Sequence, residues 1–207
     1  MFTGLVEELG EVAELRHSRS GRRLQAMRLT VKAPLVAKDT KVGDSISVSG
    51  CCLTVVKKVR QLLSFEAGSE TLSRTSFSRL QKEDGVNLER AMKLDDRLGG
   101  HLVTGHIDGL GTLIRRRDEQ DWAHFVFRAE PRLLRQMAGK GSIAVDGVSL
   151  TIVAVEGDRF SVALIPYTLN HTIAGSYVRG TLVNLEVDVV ARYVERLLSQ
   201  RGMEERR

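Results

Sequence analysis

The chain is 207 residues long, with 42% hydrophobic and 28% charged residues and a formal net charge of +5. This composition is ordinary for a globular protein, and the length suffices for one large domain or for two of about 100 residues each. No apolar run approaches the roughly 18 residues that cross a bilayer, and the acidic start MFTGLVEELGEV differs from a signal peptide. We therefore predict a cytoplasmic protein without membrane contact.

Short strands are predicted along most of the chain. In the first half the segments SISVS, LTVVKKV and LLSFEA alternate in polarity or are rich in β-branched residues, and HFVFRAE, SIAVD, LTIVAV and FSVALI do so in the second half. Short helical pieces are expected after Pro34 and Pro131, because proline suits a first helical turn. Closely spaced strands with turns between them favour a small antiparallel barrel in each half.

The last segment of the chain has a different pattern. After Asp188 the sequence VVARYVERLLSQRGMEERR carries an apolar stripe at helical spacing and a charged opposite face. This segment has no counterpart in the first half. We predict a C-terminal helix whose stripe serves oligomerisation.

Nucleic-acid and metal sites are not indicated. The excess positive charge lies in Arg115–Arg117 and Arg206–Arg207, interpreted as a solvated loop and tail, and aromatic residues make up only 5% of the chain. His101 and His106, five residues apart, would lie on opposite faces of a continuous strand. The adjacent Cys51 and Cys52 give neither a disulfide framework nor zinc spacing. We expect no metal, no cofactor and no nucleic-acid partner.

An internal repeat is the most informative feature. FTGLVEELG (2–10) resembles VTGHIDGLG (103–111), and SISVSGCCLTVV aligns with SIAVDGVSLTIV. Residues 45–89 and 142–186 are identical at 15 of 45 positions without a gap, and the shared segments include VNLE. The pattern indicates duplication of a whole small domain rather than a solenoid repeat. We place the domains at 1–97 and 98–187, and the helix at 188–207.

The repeat separates the two cysteines. Neighbouring side chains on a strand point to opposite faces. Cys51 aligns with Val148, so an apolar side chain can hold its place, and burial is expected. Cys52 aligns with Ser149, and both are small nucleophile or donor groups after the same glycine turn. Cys52 is therefore the candidate for chemistry.

Five segments resemble one known family. MFTGLVEELG, SGCCLTV, ERAMKLDDRLGGHLVTGHIDG, DGVSLTI and IPYTLNHT are similar, in order and spacing, to riboflavin synthases of the α-chain type, and the resemblance covers essentially the whole chain. It implies an all-β fold of two tandem six-stranded antiparallel Greek-key β-barrels, a C-terminal α-helix and a homotrimer. It also implies a dismutation without cofactor, in which one 6,7-dimethyl-8-ribityllumazine gives a four-carbon unit to a second, forming riboflavin and 5-amino-6-ribitylamino-uracil.

The resemblance also implies residue roles. Residues at or near the reaction centre would be Phe2, Ser45, Cys52, His101, His106, Asp146, Ser149 and Asp188. Substrate-binding residues in the first barrel would be Gly4, Leu5, Val6, Cys51, Cys52, Leu53, Glu66, Ala67, Gly68, Ser69, Glu70 and Thr71. Those in the second barrel would be Gly105, His106, Ile107, Lys140, Ser149, Leu150, Thr151, Ala163, Leu164, Ile165, Pro166, Tyr167 and Thr168.

These roles have structural alternatives. Cys52 is also explained as a buried small residue, and Asp188 as the cap of the final helix. Ser149 is also explained as a turn cap, His101 as a linker residue and Phe2 as a plug at a barrel end. His106 stands where the first copy has a leucine, which favours function for this polar residue.

Two other functions compete with the enzyme. One is a non-catalytic lumazine- or flavin-binding protein of the antenna type, which lacks the paired histidines of GGHLVTGH. The other is a paired nucleic-acid-binding barrel, which requires exposed aromatics that we do not find. The retained His101, His106 and Ser149 favour the enzyme. Association with lumazine synthase, the choice of donor and acceptor barrel, and a covalent or hydrogen-bonding role of Cys52 stay open.

Overall fold

Two closed six-stranded antiparallel β-barrels follow one another in the computed structural model, which describes residues 1–20, 23–120 and 122–204. The first barrel contains β1 (Glu8–Ser20), β2 (Arg23–Lys32), β3 (Ser45–Val48), β4 (Cys51–Val59), β5 (Leu62–Gly68) and β6 (Gly85–Arg90). The second contains β7 (Gly109–Asp118), β8 (Ala123–Ala129), β9 (Ser142–Val145), β10 (Val148–Glu156), β11 (Arg159–Leu164) and β12 (Leu182–Val187). The predicted fold class is confirmed.

Both barrels have the same Greek-key strand order. The first closes as β1-β2-β5-β4-β3-β6, and the second closes in the equivalent order β7-β8-β11-β10-β9-β12. The described residues also form four α-helices. Three are short, α1 (Ser69–Arg74), α2 (Pro131–Leu134) and α3 (Pro166–His171), and the longer α4 (Val189–Glu204) follows the last strand. The helical pieces expected after Pro34 and Pro131 are present, the former as the 3-10 turn Val36–Lys38. None of the helices in the described residues is long and apolar enough to cross a membrane.

Strand β4 shows that alternate side chains along a strand form the barrel core. Cys51, Leu53 and Val55 are buried in the core of the first barrel, whereas Cys52 is half-buried on the other face. The hairpin before β4 turns at Ser49 and Gly50, which have φ values of 42° and 84°. Two consecutive residues with positive φ are typical of the type I′ turn, which matches the twist of paired strands.

A third, small apolar cluster lies apart from the two barrel cores. It consists of Phe2, Val103 and Ala144, with Cys52 packed against it. Phe2 is fully buried, and its backbone forms an antiparallel bridge with Val103. The segment before β1 and the segment before β7 therefore lie side by side, and Phe2 packs there rather than in the core of either barrel.

Two asparagines join the barrels through reciprocal hydrogen bonds. The side chain of Asn87 on β6 donates to the carbonyl of Asp146 and accepts from the backbone N–H of Ile173, at 2.8 and 2.9 Å. Asn184 on β12 donates to the carbonyl of Ser49 and accepts from the N–H of Ser76, both at 2.8 Å. Both side chains are buried. Each asparagine makes the same pair of hydrogen bonds to the opposite half, so the contact has approximate two-fold symmetry.

Two expectations about local structure are wrong. The run Arg115–Arg117 lies on β7 rather than in a loop, while Arg206–Arg207 lie outside the described residues. His101 and His106 do not lie on a continuous strand, because only Val103 between them forms a β-bridge. The irregular backbone around this bridge lets the two histidines serve different halves of the molecule.

Candidate active site

Cys52 and Ser149 are each bound by the segment that precedes the opposite barrel. The backbone N–H of Cys52 donates to the carbonyl of Gly105 at 2.8 Å, and that of Ser149 donates to the carbonyl of Gly4 at 2.8 Å. Each of these two aligned residues thus contacts a Thr-Gly pair from the other half, Thr3–Gly4 or Thr104–Gly105, which we call the TG motifs. The repeat predicted equivalent places for Cys52 and Ser149, and the structure adds this exchange between halves.

Close approach explains the glycines of both TG motifs. Gly4 and Gly105 have φ values of +77° and +82°. A Cβ atom on Gly4 would lie 2.6 Å from the Cβ of Ser149, and one on Gly105 would lie 2.5 Å from the Cβ of Cys52. Any side chain at either position would combine a strained backbone with a clash. The glycines therefore let the segments reach the candidate reactive residues.

Two buried glutamates hold these segments in place. Glu89 on β6 accepts from the N–H of Thr3 at 2.6 Å, from its hydroxyl at 2.7 Å and from the N–H of Gly4 at 3.1 Å. Glu186 on β12 binds Thr104 and Gly105 in the same way. Burial raises the pKa of both carboxyl groups, and the hydrogen bonds to the threonine and glycine oppose this shift.

The role of these glutamates was missed by the sequence analysis. The sequence does contain a pattern that could have identified them. VNLE occurs in both halves, and each copy contains one of these glutamates and one of the asparagines that join the barrels. A charged residue at the end of an apolar strand, repeated in the second copy, needs a buried partner. The partner here is the backbone of a segment more than 80 residues away in sequence.

Ser149 has a histidine beside it. Nδ1 of His101 lies 2.7 Å from Oγ of Ser149, and the histidine is buried with Nε2 unpartnered among the described residues. Burial lowers the pKa of His101, and the charge of Asp188 opposes this shift. The imidazole is thus held neutral near pH 7, in a form able to accept a proton from the hydroxyl or return one to it.

Asp188 caps the last helix and also influences His101. Its Oδ1 accepts from the N–H of Val190 at 2.9 Å, so it caps the start of α4. Its negative charge raises the pKa of His101, against the effect of burial. The structural explanation of Asp188 as a helix cap and its proposed place near the reaction centre are therefore compatible.

The two cysteine thiols lie in different environments. Cys51 is 6% exposed, and burial raises the pKa of its thiol to about 12, so this thiol stays protonated and unreactive. Cys52 is half-buried against Phe2 and lines a cavity of about 420 Å³. The accessible thiol is thus the one that the repeat aligns with Ser149.

The cavity beside Cys52 brings together residues from both halves. Predicted site residues in its wall are Cys51, Cys52, Glu70, Thr71, Gly105, His106 and Ile107. The wall also includes Asp108, Arg132 and Arg192, which the sequence analysis did not assign. A guanidinium N–H of Arg192 on α4 donates to Asp108 at 2.9 Å, which ties the helix to the wall of this cavity. Its volume is within the range of small-molecule sites.

Other residues proposed for the reaction centre lie outside this cavity. Ser45 lines a separate cavity of about 530 Å³ together with Thr3, Leu5 and Arg90. Asp146 is buried between the barrels, where it accepts from the hydroxyl of Tyr177 at 2.5 Å and the N–H of Asn184 at 2.8 Å. Burial raises the pKa of Asp146 to about 7.

The remaining residues proposed for binding differ in their exposure. Leu53, Ala67 and Leu164 are buried in the barrel cores, and Glu66 is exposed in an ion pair with Arg28. Val6, Leu150, Ala163 and Thr168 are half-buried, whereas Gly68, Ser69, Lys140, Thr151, Ile165, Pro166 and Tyr167 are exposed. The Tyr167 ring stacks on His171 with centroids 4.0 Å apart. Of the proposed binding residues, Cys51, Cys52, Glu70 and Thr71 from the first half and Gly105, His106 and Ile107 from the second half line the cavity beside Cys52.

Comparisons with known proteins agree with this duplication. Residues 3–91 and residues 104–188 each match a family model described as a lumazine binding domain. A riboflavin synthase from Mycobacterium tuberculosis is 45% identical over 208 residues, which cover 98% of this chain and 100% of that protein. One from Actinobacillus pleuropneumoniae is 39% identical over 205 residues, covering 99% of this chain and 93% of that protein.

A solved structure resembles the whole fold. The crystal structure of LumP complexed with riboflavin has a TM-score of 0.83 and 24% sequence identity, and the match covers 90% of this chain and 99% of that chain. At this identity the likeness concerns the fold.

Proposed function

This chain belongs to the riboflavin synthase family, with two lumazine-binding domains in tandem, and we propose on this basis that it catalyses the dismutation of 6,7-dimethyl-8-ribityllumazine. One molecule transfers a four-carbon unit to a second, giving riboflavin and 5-amino-6-ribitylamino-uracil, so the enzyme is a transferase. The observation that carries this proposal is the equivalent placement of Cys52 and Ser149, each bound to the TG segment of the opposite half.

Duplication suits a reaction whose two reactants are the same molecule. Each lumazine-binding domain supplies one related pocket, and we assign these domains to residues 1–97 and 98–187. Holding two lumazines face to face replaces a bimolecular encounter by an effectively unimolecular step, which lowers the barrier by up to about 7–11 kcal/mol. The domain boundary near 97 falls in the segment between β6 and β7.

The residues of the two halves supply different chemistry. The neutral His101 imidazole accepts a proton through Ser149 and returns it later, since its Nδ1 lies 2.7 Å from the hydroxyl. Cys52 supplies a thiol at the other pocket, where His106 and Thr71 line the same cavity. Thr71, Glu70 and exposed backbone groups hold the ribityl hydroxyls and the pyrimidinedione edge.

The remaining roles follow the family. Phe2 keeps the two TG segments together, Asp146 and Asp188 position the elements around Ser149, and Ser45 faces the outer cavity of the first barrel. Residues 188–207 serve oligomerisation, and a cytoplasmic homotrimer is the assembly that we propose. Lumazine synthase is a candidate partner of that trimer.

Fluorescence of riboflavin tests this function directly. The purified protein is incubated with 6,7-dimethyl-8-ribityllumazine in EDTA without added cofactor, and substrate loss and riboflavin formation are followed together. We expect two lumazines to disappear for each riboflavin formed. The Cys51→Ala variant serves as the matched control for Cys52→Ala. Tight binding without turnover would instead identify a carrier of the antenna type.

A further inference from the structure

Four arginines surround a bowl-shaped cavity on the outer face of the second barrel. This cavity shares no lining residue with the cavity beside Cys52. Arg115 on β7, Arg128 on β8, Arg159 on β11 and Arg179 before β12 line this arginine bowl, whose volume is about 440 Å³. Arg115 belongs to the basic run Arg115–Arg117. The proposed reaction uses none of these four residues.

Strand register brings the arginines together. Arg128 and Arg159 are direct cross-strand partners, and Arg115 pairs with Val126, which lies two residues before Arg128 on the same strand. Cross-strand partners have Cβ atoms about 4.5–5.5 Å apart, and diagonal neighbours lie about 7–8 Å apart. Three guanidinium groups therefore start within the span of one small ligand, and the loop arginine Arg179 closes the bowl.

Like charges directly opposite on a sheet are destabilising. At the edge of this bowl, Asp158 offsets the repulsion for one pair. Arg128 donates its Nε–H to Asp158 at 2.7 Å, and Arg159 does so at 3.2 Å. These side chains remain about half exposed, at 59% and 52%. Arg115 and Arg179 form no ion pair among the residues that the structure describes. Glu156 also lines the bowl, so four guanidinium groups face one carboxylate in the lining and Asp158 beside it, and the bowl keeps a net positive charge.

The first barrel shows that duplication does not explain the cluster. By equivalent register, Arg115 corresponds to Glu14, Arg128 to Lys32 and Arg159 to Leu62. Arg179 aligns with Lys82. The same outer face of the same barrel type thus lacks this concentration of guanidinium groups. The bowl is a property of the second barrel alone.

The charge around the bowl is local rather than a continuous track. Arg116 is paired with Asp118 and also donates to the carbonyls of Gly175 and Tyr177, and Arg117 is paired with Glu119. A polymer such as a nucleic acid requires basic groups along an extended path. Here Arg115 and Arg179 line the same concave site, which fits a small ligand.

We propose that the arginine bowl binds a small organic phosphate, with the phosphate oxygens accepting from Arg115 and Arg179 and the organic part resting on an apolar floor. Planar guanidinium groups match phosphate oxygens in bidentate geometry. The floor is formed by Ile114, Val126 and Ala154 between the arginines. Phosphomonoesters and phosphoanhydrides of nucleotide size share this chemistry, and free phosphates share only its charged part.

Calorimetry at low ionic strength tests the site, with ADP and inorganic pyrophosphate as separate probes on the full chain. We expect both probes to bind and the double variant Arg115→Glu/Arg179→Glu to lose at least tenfold in affinity. The double variant Lys57→Glu/Lys82→Glu is the matched control, because it makes the same charge change on the first barrel, at positions equivalent to Ala154 and Arg179. It should bind as the wild type does.

The outcomes separate the sources of the ligand. Tighter binding of ADP than of pyrophosphate supports contact with the apolar floor, whereas equal affinities overturn the organic part of the proposal. Equal weakening in both double variants overturns the site itself, since it reduces binding to net charge, and so does an absence of binding to the wild type. The neutral variant Arg115→Gln/Arg179→Gln, checked for its melting temperature, keeps the test valid if the charge reversal unfolds the protein.

Discussion

Nδ1 of His101 lies 2.7 Å from Oγ of Ser149, whereas Cys52, the residue aligned with Ser149, forms no hydrogen bond with a histidine among the residues that the structure describes. Val103 bridges Phe2, and His101 lies two residues before this bridge, beside Ser149. His106, three residues after the bridge, instead lines the cavity that contains Cys52. The two otherwise similar halves therefore differ in their reactive groups: a hydroxyl hydrogen-bonded to an imidazole in one, and a thiol with an imidazole elsewhere in the same cavity in the other.

The neutral state of His101 gives a pH prediction. Burial lowers its pKa below the ordinary value of 6.5, so the imidazole accepts a proton from Ser149 down to that lowered pKa. We expect kcat/KM to fall as pH decreases below about 6.5, and the His101→Gln variant to lose this acid limb together with roughly 10²-fold in rate. The same protonation removes native-state stability on the acid side, because the unfolded histidine binds its proton at higher pH.

A double-mutant cycle tests whether His101 and Ser149 act together or independently. If His101 acts through Ser149, then Ser149→Ala and the double variant with His101→Gln should have similar rates. Losses that simply multiply would assign the two residues independent roles. An unchanged acid limb in His101→Gln would assign the titration to another group.

Much of this arrangement follows from the sequence, and the remainder depends on contacts between distant residues. The repeat located Cys52 and Ser149, and alternation on β4 predicted that Cys51 faces the core. Strands such as β1 and β7 escaped prediction because their bulged, charge-rich sequences lack a clear alternation. Pairings such as Thr3 with Glu89 join residues 86 positions apart and leave no local pattern.

The cysteines should differ in chemistry and in stability. We expect Cys52→Ala to lower turnover by roughly 10²-fold or more with ligand binding mostly intact, as for a group that acts mainly in the transition state. Cys51→Ala should keep its activity per folded molecule and lose about 1–2 kcal/mol of stability, because its side chain lies in the barrel core. Steady-state kinetics and denaturant unfolding of both variants make the comparison.

Thiol labelling provides an independent check. Since burial raises the pKa of Cys51 to about 12, only Cys52 should react with a thiol reagent in the native protein at pH 8. Equal activity of the two alanine variants per folded molecule would show that Cys52 has no chemical role.

Asp146 should make stability depend on pH. Its pKa is raised from 3.8 to about 7 by burial, so the native state keeps a proton that the unfolded chain releases. The resulting contribution to stability is fully present below pH 3.8 and is lost as the pH rises through about 7, with a total on the order of a few kcal/mol. Unfolding free energies from pH 4 to pH 8 measure it.

Asp146→Asn is the appropriate comparison for this titration. Asparagine tolerates the φ of 44° at this position, keeps an oxygen for the N–H of Asn184 and offers an amide N–H to the Tyr177 hydroxyl. The variant should gain stability relative to the wild type as the pH rises. Because both proteins contain the other buried carboxyl groups, the contributions of those groups cancel in the difference. A constant difference across this range contradicts the assignment.

The exposed face of α4 predicts that the working site needs more than one chain. Val190, Tyr193 and Leu197 are 59%, 68% and 64% exposed, an unusual concentration of apolar surface on one helix. On another side the helix is attached to the second barrel through Arg192 and Asp108. We therefore expect this face to join chains in the proposed trimer, with the pockets of neighbouring chains facing each other.

A truncation and a double variant test this, and only the truncation removes Arg192; a third variant is the control. Deleting residues 190–207 should give mainly monomer that still binds lumazine or riboflavin in the first barrel but turns over poorly; it also removes Arg192 from the cavity beside Cys52. The double variant Tyr193→Glu/Leu197→Glu keeps Arg192 and should dissociate as well, whereas Ser199→Glu on the same helix should remain assembled. Sedimentation and turnover are measured on the same samples. A monomer with full activity would mean that both pockets belong to one chain.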